Sequence, residues 1–344
     1  MIGRATTELN LPVSAETGCP PADFAPIPTD SGPVHASRKY RLGLALSCGA
    51  AKGLAHIGVI QVLEEEGLRV DVVAGASMGA YVGAIWATGA DGQEMERLAR
   101  EVHGKWGLAK LLDPVFPPRR GFILGKAIKR RLQKTVGNLH FEQLPRPVHV
   151  VATNLFTLER VIFNRGPVAA AVHASIAIPG VCAPVEIDGE TYIDGGIADP
   201  LPVSVLESLG CDVIVAVNTI PTPAFMRVVR EREHELEVLR GRRPVRRFLN
   251  RHLNYFARGN VLDIMMRAVH GAQIRVAEEA CRRADVVMRP LAVDAHWYEF
   301  NQPGKFIALG RRVAREHVAQ IKELLARKTA NENAETHNAV AAVA

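Results

Sequence analysis

Three short stretches of this sequence hold residues whose types and spacing suit covalent catalysis. Gly75-Ala76-Ser77-Met78-Gly79 fits G-x-S-x-G, a serine on a cramped strand-to-helix turn that only small flanking residues permit. Its hydroxyl would stand at a helix N-terminus, where the dipole favours developing negative charge. The loop Ser47-Cys48-Gly49-Ala50-Ala51-Lys52-Gly53 consists mostly of small residues, so its backbone N–H groups can face an oxyanion. Tyr192-Ile193-Asp194-Gly195-Gly196 sends an aspartate off a strand into two glycines, which let another backbone come close. Each stretch also has a plainer reading: an ordinary tight turn, a dinucleotide-binding loop, a simple Asp-Gly-Gly turn. The dinucleotide reading fails, because G-x-G-x-x-G is unmet at Cys48 and Ala50, and Asp71 opens the second strand instead of closing it.

The elements that must position these residues follow from apolar patterning. Leu42 to Leu46 is a short buried strand, and a helical pattern through Ile57, Ile60 and Leu63 ends at Gly67. Val70 to Ala74 is a second strand, followed by the Ser77 turn and a small-residue helix to about Ala90. Strand, loop, helix, repeated, implies an α/β fold with a mostly parallel sheet covered by helices on both faces. Both candidate loops then lie at one carboxyl edge of that sheet. Further strands are expected at Val148 to Thr153, Arg160 to Phe163, Thr191 to Ile193, Asp212 to Val217 and Asp285 to Met288. Helices are expected from about Val261 to Arg283 and from Phe306 to Leu325, with a frayed end after Lys328.

Composition sets the class. A chain of 344 residues, 48% hydrophobic and 23% charged, can bury a sizeable core. Its apolar runs stop well short of the roughly 18 residues a membrane-spanning helix needs. The first residues lack a secretory apolar stretch, and Cys19 lacks the apolar residues that precede a lipid-attached cysteine. Five scattered cysteines without metal-type pairing suit a reducing cytoplasm. Without an acidic calcium loop or a His/Cys cluster, no metal and no other cofactor is expected.

Together the three stretches resemble the patatin-like phospholipase family, closest to its bacterial RssA-like branch, which is related to neuropathy target esterase. The resemblance runs from about Leu42 to Pro223 and includes Leu54-Ala55-His56-Ile57-Gly58-Val59, Ala152-Thr153-Asn154, Ala174 to Val181 and Asp194 to Pro202. It implies a three-layer α/β/α fold with a central, mostly parallel sheet. It implies Ser77 as nucleophile, Asp194 as general base and the amides of Cys48, Gly49 and Ala50 as oxyanion donors. Lys52, Gly53, Gly75, Gly79, Gly195 and Gly196 match the supporting motif positions. Ser47 and Cys48 depart from the family pattern. The organisation expected is a flexible leader over 1–38, a catalytic core over 39–223, a basic amphipathic insertion over 224–260, the rest of the domain over 261–328 and a flexible tail over 329–344. The implied activity is hydrolysis of phospholipid or lysophospholipid acyl esters. An acyltransferase using the same nucleophile, or a regulatory protein that keeps the fold, are the alternatives.

Twelve histidines leave a triad to be considered. In the α/β-hydrolase order the histidine comes late, which nominates His296 or His317; His317 falls in a helical pattern, so His296 is the candidate. The serine turn comes too early in the chain for that fold, after only the second strand. His56 reads as a packed structural residue.

The net charge of +6 has one source: residues 226–258 hold ten Arg and four Glu. Within them Val245, Phe248, Leu249, His252, Leu253 and Phe256 recur at helical spacing, between Arg246, Arg247, Asn250, Arg251 and Asn254. A basic amphipathic helix of this kind fits an anionic membrane surface, peripherally at the inner face of the membrane, or packs on the body of the protein. Nucleic acid is not an expected partner, because no recognised fold or aromatic platform accompanies the charge. Nothing in the sequence addresses oligomeric state.

Overall fold

The computed structural model describes residues 40–102, 113–115, 120–239, 260–296 and 298–341. The expected leader lies outside these residues. So does the stretch carrying Arg246, Arg247, Phe248, Arg251 and Phe256.

The chain opens with strand β1 (Leu42–Leu46), a 3-10 turn (Ala50–Leu54), helix α1 (Ala55–Glu65), β2 (Val72–Ala76) and α2 (Met78–Ala87). After α3 (Gly92–Arg100) and α4 (Lys126–Val136) come β3 (Val148–Asn154), β4 (Arg160–Phe163), α5 (Val168–Ser175), β5 (Val185–Ile187) and β6 (Glu190–Asp194). Then follow α6 (Val203–Ser208), β7 (Val213–Val217), α7 (Pro223–Leu239), α8 (Val261–Cys281), β8 (Val286–Met288) and α9 (Pro303–Ala341). Two sequence expectations need correcting. The second strand starts at Val72 rather than Val70, because the Asp71 carboxylate accepts the Leu42 amide at 2.7 Å and so precedes the ladder. The C-terminal helix continues to Ala341, past Lys328. Six alanines and two glutamates, both good helix formers, follow Lys328, and no glycine or proline interrupts them.

Strands β8, β7, β1, β2 and β3 run parallel in that order. Alternation along them feeds two cores, as period-2 geometry requires. Leu42, Leu44, Leu46 and Val73 join one core with Ile57 and Ile60 of α1, Val82 and Trp86 of α2, and Phe306 and Ile321 of α9. Ala45, Val72, Ala74 and Ala76 join the other with Val203 and Leu206 of α6 and Ala277 and Ala280 of α8. Helices therefore cover both faces, in the three-layer arrangement expected.

The antiparallel part decides where the site forms. β4 pairs with β3 over residues 150–153 and occupies one edge of it. β2 pairs with β3 over 148–151, and β6 pairs antiparallel with it over 152–154. Both must then lie on the other edge, where β2 runs up and β6 runs down until they meet end to end. Ala76 sits beside Val151 and Asp194 beside Ala152, so the residue leaving β2 meets the last residue of β6.

Helix α9 braces the first helix at backbone distance. A Cβ on Gly58 would lie 2.0 Å from the Ile307 carbonyl oxygen, and one on Gly310 would lie 1.9 Å from that of Ala55. Arg311 anchors the crossing through Gln61 and Glu65. In an ordinary helix Gly→Ala adds about 1 kcal/mol of stability. Gly310→Ala should instead cost about 2–3 kcal/mol, because the methyl must push two backbones apart. Urea denaturation reads the sign directly.

Candidate active site

Ser77 follows β2 with φ 54° and ψ −119°, a conformation L-residues rarely adopt. Local sequence allows it. A Cβ on Gly79 would strike the Leu46 carbonyl oxygen at 2.2 Å, and Gly75 would strike the backbone of Gly79 and Ala80, so neither motif glycine can carry a side chain. The strain of the turn is offset by a specific bond: Ser77 N–H donates to Ser175 Oγ at 2.8 Å, and that hydroxyl donates to Val151 O at 2.6 Å.

Ser77 Oγ donates to Asp194 Oδ2 at 2.6 Å, with both residues 4% exposed. Asp194 is held at its carboxylate and at its backbone. Gly196 N–H donates to Oδ1 at 2.7 Å, Thr153 Oγ1 donates to Asp194 O at 3.0 Å, and Asp194 N–H donates to Ala177 O at 2.9 Å. Gly195 makes the turn possible, since a Cβ there would lie 2.0 Å from Val151 O. Burial pushes the Asp194 pKa up from 3.8 to about 6, against the opposing pull of the Ser77 and Gly196 hydrogen bonds.

The loop before α1 lies beside this pair. Thr219, after β7, holds it in a closed cycle of bonds. Thr219 N–H donates to Ser47 Oγ at 2.8 Å and Thr219 Oγ1 donates to Cys48 O at 2.9 Å. With the threonine proton so used, the Ser47 hydroxyl donates back to Thr219 Oγ1 at 3.2 Å. His56 Nε2 donates to Ser47 O at 2.9 Å, and burial lowers its pKa to about 4, so the ring is neutral.

Of the three amides expected to face an oxyanion, that of Cys48 is already used, donating to Pro200 O at 2.9 Å. Among the described residues, the amides of Gly49 and Ala50 donate to no protein acceptor. Ala50, not Cys48, takes the positive φ, at 48°. The Cys48 side chain lies against Gly196, where a Cβ would be 2.8 Å from its sulfur. Burial, then the charge of Asp194, raises its pKa well above the ordinary thiol value. Lys52 is largely desolvated, which lowers its pKa, and no carboxylate among the described residues pairs with it. Gly53 seats the loop on Met78, the residue after Ser77.

His296 does not join the site: its ring is exposed and stacks on Tyr298 at 5.3 Å. His317 Nδ1 donates to Val313 O. Among the described residues no histidine bonds to Ser77 or Asp194. Ser175 and Thr219 carry no sequence signal of their roles, Thr219 being 172 positions from the serine it holds.

Residues 44–207 match the family model described as "Patatin-like phospholipase". The chain carries a patatin-like phospholipase domain, as its motifs imply. An NTE family protein of Mycobacterium tuberculosis is 43% identical over 190 residues, covering 54% of this chain and 51% of that protein. The lysophospholipase NTE1 of Pyricularia oryzae is 35% identical over 181 residues, covering 52% of this chain and 12% of that protein. The chain thus spans about half the length of the first relative and a small part of the second. Among solved structures, VipD of Legionella pneumophila aligns with 81% of this chain and 67% of its own, at 15% identity and a TM-score of 0.40.

The raised Asp194 pKa sets a pH-dependent stability. Folding favours the protonated acid, so the stability this group contributes below 3.8 is lost as pH rises through about 6. Asp194→Asn carries no charge to bury. At pH 8 it should melt above wild type, with the gap closing as pH falls below 6, measured by thermal denaturation across pH.

Proposed function

We propose that the chain is a serine carboxylic-ester hydrolase that cleaves acyl esters of phospholipids or lysophospholipids through an acyl-enzyme. The observation that carries this reading is the buried 2.6 Å bond from Ser77 Oγ to Asp194 Oδ2. Ser77 Oγ attacks the ester carbonyl carbon as its proton passes to Asp194 Oδ2. The negative charge on the carbonyl oxygen is met by the amides of Gly49 and Ala50 and by the dipole of α2. Collapse expels the alcohol, which takes the proton from Asp194, and leaves the acyl group on Ser77. Water then gives a proton to Asp194 and attacks the acyl carbon. The fatty acid departs and the proton returns to Ser77.

A base with a pKa of about 6 is largely ionised at neutral pH yet basic enough to take a proton in the transition state. kcat/KM for a soluble short-chain ester should therefore rise tenfold per pH unit below about 6 and level off above it. A fluorophosphonate should label wild type at one site. Ser77→Ala should lose both label and turnover, and Asp194→Asn should lose turnover by about three orders of magnitude or more. Labelling that persists in Ser77→Ala would sink the assignment.

The reading extends to a membrane surface through the basic stretch around Arg246, Arg247, Phe248, Arg251 and Phe256, on sequence grounds. Among the described residues no helix is long and apolar enough to cross a membrane. Each arginine near an anionic surface contributes about 1 kcal/mol, an attraction that salt screens. Arg246→Gln with Arg247→Gln and Arg251→Gln should reduce sedimentation with anionic vesicles by about a hundredfold at low salt, and raising the salt should have the same effect on wild type.

A further inference from the structure

We propose that the turn between β3 and β4 is a second, apolar contact with a lipid surface, one suited to zwitterionic headgroups. It rests on the lipid-hydrolase reading above but uses none of the residues of the site. Phe156 is 77% exposed and Leu158 is 68% exposed, the two highest exposures among the large apolar side chains of the described residues. Both sit on one short turn.

Two observations separate this turn from a chance surface patch. The first is that it is rigid. Asn154 Oδ1 accepts from the amides of Phe156 at 2.9 Å and Thr157 at 3.1 Å, and Leu158 N–H donates to Asn154 O at 3.0 Å. Leu155 N–H donates to Thr191 O at 2.8 Å, and Asn154 Nδ2 donates to Glu190 Oε2 at 2.8 Å, which ties the turn to β6. The apolar side chains are thus held out in water by a framework that needs no ordering on contact. The second is strain. Leu158 has φ 61°, where Gly or Asn would sit with less cost, and its side chain is not buried in the protein in return. A branched aliphatic residue at such a position is explained by a contact outside the chain.

Position and charge identify the partner. β3 runs parallel to β2, so its carboxyl end points the way Ser77 does, and Leu155 lies about 10 Å beyond Ala152, the neighbour of Asp194. The turn therefore projects past the sheet edge at which Ser77 and Asp194 stand. Its exposed rim is acidic: Glu159 within the turn, and Asp188 and Glu190 at the adjoining β5–β6 hairpin. Arg160 is drawn away to Asp199 at 2.8 Å. Carboxylates around two apolar side chains repel an anionic surface and complement the outward ammonium of choline or ethanolamine lipids, with the apolar groups entering beneath. A second copy of the chain, bearing the same acidic rim, would meet like charge.

Vesicles of ether-linked phosphatidylcholine in 0.5 M salt test this on the full chain. They hold no ester to cleave, carry no net charge, and the salt screens the arginine stretch. Wild type should sediment with them, and Phe156→Ser with Leu158→Gly should bind at least about tenfold more weakly, since each buried side chain contributes more than that factor. The same variant should melt no lower than wild type, because glycine relieves the strained φ. Phe156→Trp should shift its emission to the blue on vesicle addition. Equal sedimentation of the double variant and wild type would overturn the proposal, whether or not the variant changes oligomeric state. A tryptophan that stays solvent-exposed on vesicles would do the same. Because no turnover is involved, these outcomes are independent of whether Ser77 is an ester nucleophile.

Discussion

The structure around the site depends on keeping one carboxylate out of water beside a hydroxyl. Asp194 is buried, its charge is opposed by desolvation, and among the described residues its carboxylate is compensated by the Ser77 hydroxyl and one Gly196 amide. That arrangement costs the fold stability, and the surrounding geometry has to hold it. It does so by making β2 and β6 share an edge of β3, so that both strands end at the same point and neither residue can swing away without losing a ladder. Ser175 and Thr153 then tie the two strand ends to the same segment of β3.

Gly196 joins the carboxylate to the rest of the molecule. Its amide holds Asp194 Oδ1, and its carbonyl accepts from Gln273 Nε2 of α8 at 3.0 Å. Its Cα abuts the Cys48 sulfur. A side chain at this position would strike both Cys48 and Asp194, so the loop before α1, the base and α8 are packed around one residue that has no volume to spare. Cys48 fills space that its own loop leaves, and burial keeps its thiol protonated beside the carboxylate.

Local features of this organisation were legible in the sequence. Strand Leu42–Leu46, the Ser77 turn and the Asp194 turn stand where apolar runs and small residues place them, because strand-to-helix turns of that tightness select glycine locally. Features that depend on tertiary packing were not. β5 is only Val185–Ile187, too short for alternation to distinguish from loop. Helix α3 is short and mostly charged: its apolar stripe is only Met95, Leu98 and Ala99, which pack on the core, and its start is marked by Asp91 accepting the Glu94 amide. The end-to-end meeting of β2 and β6 follows from pairings with β3 that no local pattern encodes. The resemblance implies the Cys48 amide as an oxyanion donor, whereas Pro200, from the segment after the Asp194 turn, accepts its proton, a tertiary contact that the loop's own residues do not signal.

The departure from the family pattern at Ser47 finds its physical reason in Thr219. A glycine-rich loop has little of its own to hold it in one shape, and the entropy of fixing it must be met by outside contacts. Here Ser47 supplies a hydroxyl that completes a cycle with Thr219, both of them fully buried, while His56 takes the Ser47 carbonyl. Every proton in that cycle has one assignment, so the loop carbonyls of Ser47 and Cys48 are directed inward and occupied. The amides that follow, of Gly49 and Ala50, find no acceptor among the described residues. Ala50 accepts a left-handed φ to keep that direction, a cost that a glycine would avoid. A loop that orders its carbonyls through its own side chains presents its free amides without reorganisation, which is the condition under which amide donors stabilise a developing oxyanion most.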